Sequence, residues 1–343
     1  MGKFKFDVAI GNPPYQETAE NTSDDPIYHT FMDAVYDVAN KVELITPARF
    51  LFNAGKTPKK WNQKMLNDPH FKVMYYNPDP RGVFPNTEIK GGVAVTYHDT
   101  GKDFGAIEVF ISQPELDAIK KKVHGAPKFA SMKTIFHSPD SCKFTNQFVA
   151  DHPEVVELLS KGHCQDMTSN LFEKLGTEIL SEHELDVPCI RILGRAANKR
   201  TARYVEQSYV ASSDDLDAFK VMLPEASGIG KFGERLSEPF IGKPRECHTQ
   251  TFVSLGAFQT AKESENLIKY IRTKFFRALL GIMKVTQHTR AIVFKFVPLQ
   301  DFSSTSDIDW SQPVSAIDQQ LYKKYGLDEK EIAFIEKNVK EMA

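Results

Sequence analysis

The stretch that most restricts how this chain can fold lies almost at its start: FDVAIGNPPYQ, Phe6 to Gln16. Phe4 to Ile10 reads as a short buried strand, apolar or β-prone at most positions and closed by Gly11. Asn12-Pro13-Pro14-Tyr15 then forbids any continuation. The two prolines fix φ and supply no N–H, so the backbone around Asn12 is stiff and its carbonyls are not used up by a ladder. A polar side chain, free carbonyls and an aromatic ring are therefore expected at the carboxyl end of a strand, where open α/β sheets place their chemistry.

The following residues alternate as βα units do. A helix is predicted from Asp25 to Ala39, with Ile27, Phe31, Ala34, Val35 and Val38 on one face. Val42 to Thr46 reads as a strand, Pro58 to Asn67 as a polar helix, and Phe71 to Tyr76 and Val93 to Tyr97 as strands, the last entered through Gly91-Gly92. The fold class is α/β, with half of a doubly wound sheet. From about Gly105 the pattern becomes irregular, and the expected division is 1–104, 105–300 and a helical tail over 301–343. In the second part, Thr260 and Glu263 form a capping box that opens a helix from Ala261 to Leu280, striped with Leu267, Ile268, Ile271, Phe275 and Leu279. A last acidic helix is predicted from Asp328, packing through Ile332, Ile335 and Val339.

With 343 residues, 41% hydrophobic and 26% charged, the chain can bury one large core or two ordinary ones. No apolar run is long enough to cross a bilayer, and the first residues lack the apolar segment and cleavage site of a signal peptide, so a cytoplasmic protein with no membrane partner is expected. Cys142, Cys164, Cys189 and Cys247 have neither zinc-site nor disulfide-framework spacing, which leaves reduced structural thiols. The net charge of −2 is uneven: Ile190 to Gln300 holds 18 Lys and Arg against 10 Asp and Glu. Within it, Asn266 to Gln300 has seven basic residues and no acid. Such a segment suits a phosphate backbone.

An exocyclic amino nitrogen on a nucleobase is a poor nucleophile, because its lone pair is delocalised into the ring. Two acceptors aimed at the NH₂ favour the pyramidal nitrogen that develops on attack; Asn12 can offer its side-chain oxygen and Pro13 its carbonyl. Tyr15 can stack on the base, which must first be extruded from the duplex. The prolines, Pro14 included, hold these acceptors still.

On these residues the chain resembles the gamma-type adenine-N6 DNA methyltransferases of type II and IIG restriction–modification systems. Asp7 to Tyr15 resembles their catalytic motif, Leu44 to Phe52 (LITPARFLF) the next catalytic strand and turn, and Gly82 to Tyr97 (GVFPNTEIKGGVAVTY) the final strand pair. Ile190 to Tyr204 and Lys269 to Asp301 are similar to their target-recognition region. The resemblance implies a partial Rossmann-like methyltransferase sheet, followed by an α+β target-recognition domain. It implies that Asn12, Pro13 and Tyr15 hold the flipped adenine, that Phe84 helps to stack it, and that methyl transfer from S-adenosylmethionine is direct. It also implies double-stranded DNA as partner. The glycine-bearing and acidic strand ends with which such enzymes bind the cofactor are not found in this chain. The expectation is therefore a C-terminal part, completed by an upstream polypeptide with the cofactor-binding half or else without turnover.

For DNA contact the expected residues are Arg195, Asn198, Lys199, Arg200 and Arg203, then Lys274 and Arg277 on the basic helix face, and Gln287 and Arg290. Arg reads guanine and Asn or Gln reads adenine, whereas Lys mainly neutralises phosphate. Gly228-Ile-Gly230-Lys-Phe-Gly233 spells G-x-G-x-x-G, but a proline follows before a helix can form, so a flexible loop near DNA is expected instead. Two alternatives remain. One is a DNA-binding module with no activity. The other is a metal-dependent nuclease, since Asp79, Glu88 and Lys90 spell PD…ExK, with carboxylates for a divalent ion and a lysine for a water.

Overall fold

The computed structural model describes residues 6–17, 25–85, 89, 91–197 and 199–342. They divide into two compact units, 1–112 and 113–343. Both are mixed α/β structures with sheets of their own.

In the first unit, β1 (Phe6–Gly11) is followed by a two-residue pair, β2 (Gln16–Glu17) and β3 (Asp25–Pro26). Then come α1 (Tyr28–Val38), β4 (Ala39–Pro47), α2 (Lys59–Leu66), β5 (Phe71–Asn77) and β6 (Val93–Asp99). The sheet order is β1-β4-β6-β5. β1 and β4 are parallel, joined across α1 as a βαβ unit, but β4–β6 and β5–β6 are antiparallel. The all-parallel half-sheet anticipated from the alternation is thus corrected to a mixed sheet. A parallel neighbour needs a crossover of a dozen residues or more, usually a helix, and no helix lies between β5 and β6.

The registers sort the side chains onto two faces. Ala9 of β1, Val42 and Leu44 of β4, Ala94 of β6 and Phe71 of β5 face a core completed by Tyr28, Met32, Phe50, Trp61 and Met65. Ile10, Glu43 and Tyr97 lie in line on the other face. β1 is the edge strand, and it is not buried as its composition predicts: Val8 is 53% and Ile10 77% exposed. Its apolar side chains match a covered strand, but only one of its edges and one of its faces is packed.

The second unit opens with α3 (Pro114–His124), β7 (Phe136–His137), α4 (Asn146–Asp151), α5 (Val155–Leu159) and α6 (Leu171–Lys174). Five of the next six strands build the rest of its two sheets with one another and one pairs back to β7: β8 (Cys189–Ala196), β9 (Lys199–Glu206), β10 (Phe219–Pro224), β11 (Phe240–Gly242), β12 (Glu246–His248) and β13 (Phe252–Phe258). The orders are β12-β8-β9 and β11-β10-β13-β7. Four helices close the chain: α7 (Ala261–Arg272), α8 (Lys274–Gly281), α9 (Val314–Lys324) and α10 (Glu329–Asn338).

Both predicted capping boxes are present, Thr260 with Glu263 and Asp328 with Glu331. The single helix expected to run from Ala261 to Leu280 is instead two. Thr273 is extended, with ψ 149°, and its hydroxyl accepts from Phe276 N to start α8 afresh. Residues 301–343 form part of this unit, with α9 packed on α7 and α8, and α10 on α3 and α8. The four cysteines are free thiols; Cys142 and Cys247 are buried in the core with Phe144, Phe148, Ile190 and Ile192. No helix among the described residues is long and apolar enough to cross a membrane.

Candidate active site

Because β4 runs parallel to β1 and β6 runs opposite to both β4 and β5, the carboxyl ends of β1, β4 and β5 share one edge of the first sheet. Asn12 to Tyr15 leaves that edge from β1 and Ala48 to Phe52 leaves it from β4. The segment from Pro78, which includes Phe84, leaves it from β5.

Asn12 is exposed at the end of β1, and neither proline bond is cis. The turn is tied down on its far side, where Ile27 N donates to the Tyr15 carbonyl at 3.1 Å and β2 pairs with β3. Tyr15 folds back onto the unit's core, and burial pushes its hydroxyl up to about 12. That hydroxyl is buried without a hydrogen-bond partner among the described residues, which is costly unless a ligand supplies one. Phe84 meets the Tyr15 ring edge to face, with centroids 6.3 Å apart. Gly92 secures the far end of the Phe84 loop: its φ is +80°, and a Cβ there would lie 2.2 Å from the Asn77 carbonyl oxygen.

A group of aromatics at the same edge escaped the sequence reading. Phe52, Tyr76 and Phe110 pack mutually with centroids 5.3–5.5 Å apart, and Phe52 remains 42% exposed. Phe52 closes the LITPARFLF segment, but spacing along the chain does not reveal that it joins two distant rings.

The nuclease set is not assembled among the described residues. Asp79 is bound to its own neighbour, with Arg81 Nε at 2.9 Å, and that hydrogen bond pulls its carboxyl below the usual range. Glu88 and Lys90 lie outside the described residues.

The glycine motif does not fit S-adenosylmethionine. The Glu234 carboxylate accepts from Ile229 N at 2.8 Å and Gly230 N at 3.0 Å, so the amides a cofactor would use are already satisfied. Nor is the segment the flexible loop expected: Lys340 N donates to the Gly233 carbonyl at 2.9 Å, and Lys284, 3% exposed, donates to the Ser227 carbonyl at 2.6 Å.

In the second unit, β8 and β9 form a two-stranded ribbon in which Arg195 opposes Arg200 and Ala196 opposes Lys199. The ribbon tip thus gathers exposed Arg195, Lys199 and Arg200; Asn198 lies outside the described residues. Arg200 is braced, its guanidinium 4.1 Å from the centre of the Phe240 ring. Arg203 is turned to other work, paired with Glu182 at 2.7 Å.

The acid-free run from Asn266 to Gln300 is not the open basic face that its composition suggests. Lys269 donates to the Trp310 carbonyl at 2.7 Å, Arg272 pairs with Glu238, and Lys274 pairs with Glu336. Arg290 pairs with Glu225 at 3.2 Å. Arg277 is 2% exposed, and its guanidinium donates to the carbonyls of Lys340, Glu234 and Arg272. A guanidinium so enclosed cannot reach a phosphate, and the DNA contact expected of Arg277 is replaced by a cross-link between backbone segments. Gln287 is exposed, and its carbonyl accepts from Ser227 N at 2.8 Å.

Residues 1–84 match the family model described as Eco57I restriction-modification methylase. An uncharacterized adenine-specific methylase of Mycoplasma pneumoniae (strain ATCC 29342 / M129 / Subtype 1) is 33% identical over 98 residues, 27% of this chain and 23% of that protein. Two solved structures align more widely and loosely. The type IIG restriction endonuclease BpuSI aligns over 89% of this chain and 44% of its own, with 10% identity and a TM-score of 0.30. The type IIL restriction-modification enzyme MmeI in complex with DNA aligns over 97% and 56%, with 9% identity and a TM-score of 0.29. The match thus spans under a quarter of the curated relative. On the family model and the Mycoplasma relative, this chain resembles an adenine-specific methylase of the restriction–modification kind in its N-terminal segment.

Proposed function

We propose that the first unit carries the base-holding half of a site-specific adenine-N6 DNA methyltransferase, and that the second unit reads the target sequence. One observation carries the reading. Within the segment that matches the methylase model, Asn12-Pro13-Pro14-Tyr15 leaves the carboxyl end of β1 with Phe84 against Tyr15. The sheet is then part of a larger doubly wound sheet that continues beyond β1.

Asn12 Oδ1 and the Pro13 carbonyl accept the two hydrogens of an extruded adenine's amino group. As the nitrogen becomes pyramidal, its lone pair leaves the ring and turns to the incoming methyl carbon, and the acceptors strengthen their hold as positive charge grows. The Tyr15 and Phe84 rings supply apolar surface for the base. The methyl donor is S-adenosylmethionine, bound on a cofactor-binding half encoded upstream. In the second unit the β8–β9 ribbon has the dimensions of an element that enters a major groove. There Arg195 and Arg200 reach guanine edges, Lys199 a phosphate, and Gln287 and Arg290 flank the contact.

The test is Asn12→Ala in the assembled enzyme. Methylation of a target duplex falls by about 100-fold or more, as for removal of one transition-state acceptor, while DNA affinity stays within a few-fold. Near-normal methylation rejects the assignment. A second reading, a DNA-binding module without turnover, is favoured by the poor fit of the glycine loop to a cofactor. It requires that methylation stay absent when the upstream half is supplied.

A further inference from the structure

The open side of the first sheet is patterned for burial. Along β1, Val8 and Ile10 point to the face opposite the core, 53% and 77% exposed. The registers continue that face through Ile45 of β4, Val95 of β6 and Tyr75 of β5, the last 51% exposed. The face is therefore an apolar strip that crosses all four strands, broken by Lys41 and Glu43. Isolated exposed apolar residues need no explanation, but a contiguous row across a sheet marks a contact surface. In addition, β1 pairs with β4 on one edge and with no other strand among the described residues. A parallel-paired strand with one open edge and one open face is a combination that folded α/β proteins normally cover on both sides.

We infer that this edge and face together are the docking surface for a second polypeptide segment. That segment adds a strand parallel to β1 and lays an apolar helix across Val8, Ile10, Ile45 and Tyr75. The direction follows from where the chemistry sits. In doubly wound sheets, ligands bind outside the carboxyl ends of neighbouring parallel strands. Asn12 leaves the carboxyl end of an edge strand, so a crevice beside it forms only when another strand ends there. The known relatives have room for such a segment, since the matched stretch is 23% of the Mycoplasma methylase. The inference rests on the proposed function only in naming the occupant as the cofactor-binding half; the surface itself is argued from packing.

The experiment uses the polypeptide encoded immediately upstream of this chain, in the same or a separate reading frame, produced as a separate protein and mixed with it. Sedimentation reads association, and amide hydrogen exchange reads β1. A one-to-one complex is expected, with exchange at Val8 and Ile10 slowed at least tenfold. Ile10→Glu weakens the complex by about 30-fold or more, whereas Ile229→Glu, at a residue 79% exposed in the second unit, leaves it unchanged. Both side chains are exposed, so neither variant threatens folding. No complex, a complex with unchanged β1 exchange, or one indifferent to Ile10→Glu overturns the inference. So does a homodimer of this chain that Ile10→Glu dissolves, since the occupant is then a second copy. A complex that forms as expected without methylating removes the functional reading and leaves the docking surface standing. Methylation with β1 exchange unchanged does the reverse.

Discussion

In the first unit, Ile10 and Val8 stand 77% and 53% exposed; in the second, Lys220, Arg277 and Lys284 are 1%, 2% and 3% exposed. Hydropathy along the chain points the opposite way in both places. The cations are buried because distant segments converge on them. Arg277 meets three carbonyls, Lys284 the Ser227 carbonyl and Glu234, and Lys220 the Asp215 backbone and carboxylate. Such partners offset the desolvation that otherwise keeps charges at the surface. The apolar strand is exposed for the converse reason, since nothing among the described residues pairs with its outer edge. A side chain's place is set by the partners available to it, and these are mostly remote in the sequence.

The contrast breaks most readily at Arg277. Arg277→Ala leaves three buried carbonyls short of a donor and should cost the second unit about 3 kcal/mol. Urea unfolding measures it, with Ile10→Gln as the comparison that costs nothing. An Arg277→Ala protein of unchanged stability would mean that the enclosure is not energetically coupled to the fold.

A second buried charge tests the same point through pH. Asp318, 3% exposed, accepts from Lys274 N at 3.0 Å and Phe275 N at 2.9 Å at the start of α8. Burial outweighs those hydrogen bonds and pushes its carboxyl up to about 6. The folded state thus holds this proton more tightly than the unfolded chain. Its contribution is complete below the ordinary carboxyl range and is lost as pH rises through about 6. Asp318→Asn should flatten the stability difference between pH 4 and pH 7 by on the order of 2 kcal/mol. An unchanged profile would show that the group titrates normally.

The two surviving kinds of basic residue sharpen the comparison further. Lys199, exposed at the ribbon tip, should lower the salt slope of DNA binding by about one unit when changed to alanine, with a several-fold loss of affinity. Lys274 is already paired with Glu336, so Lys274→Ala should leave that slope alone and cost under about 1 kcal/mol of stability. Equal salt slopes for the two variants would remove the distinction between ribbon and helix face.

Some of this was legible in the chain itself. The Asn12-Pro-Pro-Tyr15 strand end, the strands around Val42 and Val93, and the capping boxes at Thr260 and Asp328 are set by backbone chemistry within a few residues, where proline geometry and side-chain caps act. Helix α1 begins at Tyr28 rather than Asp25 because Asp25 and Pro26 pair with Gln16 and Glu17 instead, a choice made nine or so residues away. The basic run illustrates the limit most sharply. Its seven cations and missing acids are plain in the sequence, yet the acids that partner Arg272, Lys274, Lys284 and Arg290 are Glu238, Glu336, Glu234 and Glu225, all outside the run. A local charge count cannot see them.

The sequence by itself therefore determined that a rigid acceptor pair and an aromatic ring would stand at a strand's end, because two prolines leave the backbone no other course. Only the tertiary structure decided that Phe84 meets Tyr15, that Arg277 is a buried cross-link, and that β1 keeps one edge and one face open. Those outcomes depend on which segments converge in space, and that convergence is decided by packing across tens to hundreds of residues, beyond the reach of any local pattern.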